Sequence, residues 1–152
     1  MYEFAKAIDL AFKSITDAER KFTRYNTNVF READGTITVY LTPGNDDPKI
    51  IGILGGDFRV SLSKDASAVL KKESLHASYL KLSVPPSDVA GSYETHVLSD
   101  LPTETDVALV ILNPSLAPHY IGGKVWMSKI DADGSITISG KTDQIRKKEM
   151  NK

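Results

Sequence analysis

The sequence predicts an α+β fold: one mixed or antiparallel sheet, an N-terminal helix, and a second helix after the central strand. Three observations carry this. Apolar residues recur at helical spacing up to about Arg20. From Val29 onward the period falls to two, and turn residues separate short runs. One further helical stretch, opening at Thr103, then interrupts the strands.

In the first helix Phe4, Ile8, Phe12 and Ile15 make an apolar stripe, with Ala7 and Ala11 beside them. Lys6, Asp9, Lys13 and Asp17 lie off it. Tyr25-Asn26-Thr27-Asn28 reads as a turn. Val29–Glu32 and Thr36–Leu41 flank Ala33-Asp34-Gly35, where glycine supplies the positive φ of a hairpin. Residues 49–54 form an apolar strand ended by Gly55-Gly56. Phe58, Val60 and Leu62 alternate with Arg59, Ser61 and Ser63, the pattern of a half-buried strand. Val69–Glu73 continues as a strand, followed by Leu80, Leu82 and Val84 in alternation. Val89–His96 is the central strand. Thr103 caps a helix from Glu104 to Leu112, with Glu104 and Asp106 complementing its dipole, and Asn113-Pro114 stops it. A short strand at His119–Gly122 and a hairpin around Asp131–Gly134 complete the fold.

The 152 residues fit a single domain over 1–140 with a polar tail at 141–152. With 41% hydrophobic residues, the chain can bury a core without staples. A net charge of −1 gives no field toward nucleic acid or an anionic membrane. The absence of cysteine excludes a disulfide scaffold, a thiolate zinc site and a cysteine nucleophile. No apolar run approaches the roughly 18 residues of a membrane span. Charges at Glu3, Lys6, Asp9 and Lys13 break any signal-peptide core, so the expected compartment is the cytoplasm, or outside it if a signal has been removed.

The chemistry-bearing stretch is Gly91-Ser92-Tyr93-Glu94-Thr95-His96, followed by Pro102-Thr103-Glu104-Thr105-Asp106. Residues two apart on a strand share a face, so Glu94 and His96 point the same way. Asp106, in the first turn of the next helix, can close over them. One imidazole and two carboxylates make a three-ligand metal set with room for water. It is harder than a two-imidazole set, and suits iron or manganese as well as zinc. His76 and His119 read as ordinary hydrogen-bonded or surface histidines, each able to approach His96 only through the fold. Asp131-Ala132-Asp133-Gly134 lacks the ligand series of a calcium loop and reads as a turn.

From Ala90 to about Gly134 the chain resembles the JAMM (MPN-type, JAB-like) metalloprotease core. There a strand ends in His-x-His, a loop leads to Pro-Ser-x-x-Asp at a helix start, and a strand and a hairpin follow. His96 matches the second His, Asp106 the metal Asp, and Thr103 the Ser that supports the oxyanion. Glu94 stands where the first His is expected, and the loop from His96 to Thr103 is one residue short. Glu73, or else Glu32, takes the place of the upstream Glu that activates water. The chain also resembles uncharacterised bacterial proteins that carry His-Thr-His followed by Pro-x-x-x-Asp-Val. The resemblance implies a metal-dependent peptidase or isopeptidase, intact or degenerate, acting on a peptide substrate. Two other classes remain: a non-catalytic domain of immunity or inhibitor type that holds a protein partner, and a small-ligand-binding protein.

Overall fold

The computed structural model describes residues 2–86 and 89–142. Its elements are α1 (Tyr2–Ser14), β1 (Tyr25–Arg31), β2 (Ile37–Pro43), β3 (Ile50–Gly55), β4 (Phe58–Leu62), β5 (Val69–Ser74), β6 (Tyr79–Ser83), β7 (Ser92–Thr95), α2 (Glu104–Leu112), β8 (His119–Gly122), β9 (Trp126–Ile130) and β10 (Ile136–Lys141). The α+β class stands. The strands fall into three sheets where the sequence predicts one. By its internal contacts the chain divides into two compact units. The predicted tail lies, from residue 143 on, outside the described residues. No helix among the described residues is long and apolar enough to cross a membrane.

The first unit is Met1–Asp46 with Gly55–Tyr79. Its antiparallel sheet runs β1-β2-β4-β5, with hairpins joining β1 to β2 and β4 to β5, and β3 inserted in the chain between β2 and β4. Alternation does what it predicts: Phe58, Val60 and Leu62 turn inward beside Ile37, Val39 and Leu41. The φ of 88° at Gly35 makes the first turn. Helix α1 covers this face through Ala7, Ala11 and Ile15. The two alanines are fully buried and let the helix lie close to the sheet. Phe4, at one end of the apolar stripe, is instead 39% exposed, with Arg31 over its ring.

The predicted turn at Tyr25–Asn28 is a correction: these residues belong to β1. Tyr25 pairs with Pro43 and packs among Phe12, Phe22 and Phe58, with ring centroids 6.1–6.2 Å away. Aromatic burial and the ladder override the local preference of Asn and Thr for turns.

The second unit is Asp47–Leu54 with Leu80–Lys152. Its sheet runs β10-β9-β8-β7. The β7–β8 pair is parallel, so α2 is the crossover of a β-α-β unit. Val110 of α2 packs with Ile121 and Ile130 of the sheet. The β3–β6 pair also belongs here, apart from its terminal residues Gly55 and Tyr79. A Cβ at Gly52 of β3 would run into Leu109 of α2, so glycine sets that approach. Strand β7, predicted to be central, lies at the edge of its sheet and is shorter than predicted. It starts at Ser92 and ends at Thr95, leaving His96 just past its end, where the His96 amide still donates to Gly122 O (3.0 Å).

Candidate metal centre

Strand β7, the crossover loop and α2 each deliver one part of the site. In the parallel register Ser92 lies beside His119 and Glu94 beside Ile121. Ile121 faces the core, so Glu94 turns inward from the same side of the sheet. The side chains of Glu94, His96 and Asp106 are 9%, 2% and 0% exposed. His96 Nε2 lies 3.3 Å from Glu94 Oε1 and 3.4 Å from Asp106 Oδ2. One ligand atom from each of the three falls within 4.8 Å of the others. The three residues that the sequence singles out as ligands are therefore brought together.

Local chemistry explains why Asp106 is held there. Thr103 is the N-cap of α2 and Asp106 is its N3 residue. The Thr103 amide (2.6 Å) and hydroxyl (2.8 Å) both donate to Asp106 Oδ2. This is the carboxylate half of a capping box. The Thr103 hydroxyl also lies 3.0 Å from that of Thr105. Thr103, predicted on the oxyanion side, is thus the residue that positions Asp106.

The ring of His96 is oriented from behind. Ser99 donates its only hydroxyl proton to Leu101 O (2.7 Å). It therefore accepts from His96 Nδ1–H, 2.8 Å away. In the neutral ring Nε2 then carries the lone pair, and it is Nε2 that faces the two carboxylates. This pattern of one ring nitrogen anchored by a hydrogen bond and the other presented inward is that of a metal-ligating histidine. The spacing fits as well. A tetrahedral ion with bonds of about 2.0–2.1 Å has ligand–ligand edges of roughly 3.3–3.4 Å.

Glu94 is the electrostatic centre. With the two rings protonated and no metal bound, burial opposes its ionisation, yet hydrogen bonds from His119 and His96, with the charges on those rings, hold its carboxyl down at about 2. His119 Nε2 is 3.0 Å from the same Oε1. His119 is 3% exposed and its Nδ1 lies 2.6 Å from Ser92 Oγ. The sequence does not single out His119, Ser92 or Ser99 as site residues. Strand parity puts Ser92 on the face of Glu94, and Ser99 is close to His96 in sequence, but no spacing rule reaches His119, because it meets Glu94 across the parallel β7–β8 pair.

Glu73 is in the first unit, on β5. Its Oε1 is 2.8 Å from Lys71 Nζ and its Oε2 is 3.2 Å from Arg59 Nε. The contact with Lys71 foremost holds its carboxyl below the usual range. Glu32, the other candidate for the water-activating role, follows β1 as an exposed turn residue. His76 pairs with Asp57 in that unit, at 2.8 Å.

No family model, curated protein or solved structure matches the chain. The functional reading therefore rests on the site's own chemistry.

Proposed function

We propose that this protein is a metal-dependent hydrolase of JAMM-like type, acting on a peptide or isopeptide bond. The observation that carries the reading is the convergence of Glu94, His96 and Asp106 in a nearly solvent-free cluster. Two carboxylates buried at that distance repel, and a divalent cation relieves the repulsion better than protons do. Glu94, His96 and Asp106 hold the ion, with zinc, iron and manganese as the candidates. Such an ion supplies Lewis acidity, polarising a carbonyl and activating water near neutral pH. Thr103 keeps Asp106 in place, and Ser99 keeps the His96 lone pair turned inward. Exposed Val97, Leu98 and Leu101 on the loop after His96 offer an apolar rest for a substrate segment.

The test is metal content after chelator-free purification, read by elemental mass spectrometry on wild type and His96→Ala. The expected result is about one ion per wild-type chain and none in the variant. Hydrolysis of peptide and isopeptide substrates should then vanish with chelator and return with metal. An empty wild type that stays empty after reconstitution ends this reading.

The same apolar loop favours a second reading, a non-catalytic domain that holds a protein partner. That version binds metal without hydrolysing any peptide or isopeptide bond.

A further inference from the structure

Strand β7 carries Glu94 and runs straight into His96, yet it is the last strand of its sheet and pairs on one side, with β8. In a parallel ladder, alternate residues turn their amides and carbonyls to the same neighbour. The Ser92 amide donates to Pro118 O and the His96 amide to Gly122 O, each at 3.0 Å, and Glu94 lies between them in the same phase. The amides and carbonyls of Tyr93 and Thr95 therefore point to the open side. Among the described residues they make no hydrogen bond there.

The side chains leave that edge clear. Tyr93 lays its ring across β8, so that its hydroxyl reaches the space a Cβ at Gly122 would fill. Thr95 is exposed and uncharged. Sheet edges are commonly guarded by charge, proline or a bulge against strands that would add to them. The other edges of the two four-stranded sheets have such guards. Strand β1 ends on Arg31, β5 carries Lys71, Lys72 and a register shift, and β10 carries a register shift before Lys141. The unguarded edge is the one beside the candidate metal centre.

We propose that the free edge of β7 is the substrate track of this centre: an extended polypeptide segment pairs with the main chain of Tyr93 and Thr95, which draws one of its peptide carbonyls alongside Glu94 and His96. The proposal rests on the hydrolase reading above and deepens it by stating the form of the substrate, an unfolded stretch of main chain. An amide and a carbonyl from each of two residues suffice to align such a segment. They fall far short of the roughly 1,200 Å² that a lasting pair of chains buries, so the occupant is a substrate rather than a second copy.

The experiment uses the full chain loaded with zinc, with denatured β-casein as the probe and then a short peptide spanning one of its cut sites. In the free chain, amide exchange read by NMR should be fast at Tyr93 and Thr95 and slow at Glu94 and His96. The short peptide, added to chelator-treated chain that leaves it uncut, should slow the first two. Methyl groups placed on successive peptide nitrogens away from the cut bond should raise KM at every second position only, by about two- to tenfold, the worth of one hydrogen bond. Thr95→Pro removes an outward amide and keeps every bond to β8, a change that edge strands tolerate. It should raise KM by the same factor with kcat held, whereas Thr95→Ala should not. The exchange and methylation patterns on wild type decide the matter even if Thr95→Pro does not fold. Casein cleaved without the period-two pattern, or Tyr93 and Thr95 amides already slow in the free chain, overturns the track and leaves the hydrolase reading standing. Protection that grows with protein concentration alone gives the edge to a second copy and also overturns it. Zinc-loaded wild type that leaves casein intact overturns both.

Discussion

The two units of this chain differ in how much charge they bury. The first hides an aliphatic and aromatic cluster, with Ile37, Val39, Leu41, Val60 and Leu62 fully buried, buries the His76–Asp57 pair, and keeps other ion pairs at or near the surface. Arg31–Glu3, Arg24–Asp46 and Lys72–Glu19 are all substantially exposed. The second has a smaller apolar cluster, Val110, Ile121 and Ile130, among its described residues, and hides Glu94, His96, Asp106 and His119. Buried apolar area stabilises a fold whatever its partners are. Buried charge does so only when geometry satisfies it, and is otherwise costly. The contrast assigns stability to the first unit and chemistry to the second.

The largest effect on that contrast should come from Leu41→Ala. Leu41 is fully buried in the middle of β2. Truncation leaves a cavity and should cost about 2–5 kcal/mol, seen as a lower urea midpoint at unchanged slope. A cost under about 1 kcal/mol would mean that the first unit is not the tightly packed one.

The next effect separates two carboxylates that share a depressed pKa. Glu19 of the first unit is held at about 2, chiefly by its hydrogen bond with Lys72, and Glu94 of the second is also at about 2. A carboxyl whose folded pKa is depressed stabilises the fold above its unfolded pKa. That stabilisation fades as pH falls from about 4.5 toward 2. Both contributions therefore run in the same direction. They differ in salt: the half-exposed Glu19–Lys72 pair is screened, whereas the buried Glu94 cluster is not. Metal-free Glu94→Gln should flatten the acid limb of stability at low and high salt alike. Glu19→Gln should flatten it at low salt only. Equal salt sensitivity in the two variants would erase the distinction between the units.

The smallest effect is at the helix start. Thr103→Ala removes a hydroxyl from Asp106 and should destabilise by about 1 kcal/mol. It should also loosen the metal by about ten- to a hundredfold, since Asp106 loses an orienting partner. Calorimetry with zinc, beside a thermal melt, checks both. Weaker stability with undiminished zinc affinity would assign Thr103 to capping alone.

Some of this was legible residue by residue. The bounds of α2, its cap at Thr103 and its stop at Asn113-Pro114 agree with the sequence prediction, because capping chemistry is local. The Asp131–Gly134 turn between β9 and β10 and the strand at 69–74 follow equally from period and turn residues. The meeting of Glu94, His96 and Asp106 was readable too, since strand parity and a short loop to a helix start confine all three. Tyr25 was misjudged because its neighbours in sequence are turn formers while its neighbours in space are aromatic rings.

The sequence by itself determined most of the secondary elements, the α+β class and three of the polar residues at the site, all matters of spacing over a few residues. The tertiary structure alone decided the division into two units, the ion pairs of Glu73, and the arrival of His119 between Ser92 and Glu94. The physical reason is the parallel pairing of β7 with β8. It joins residues 25 or more positions apart through a crossover helix, and no local pattern encodes which histidine the crossover brings back beside which carboxylate.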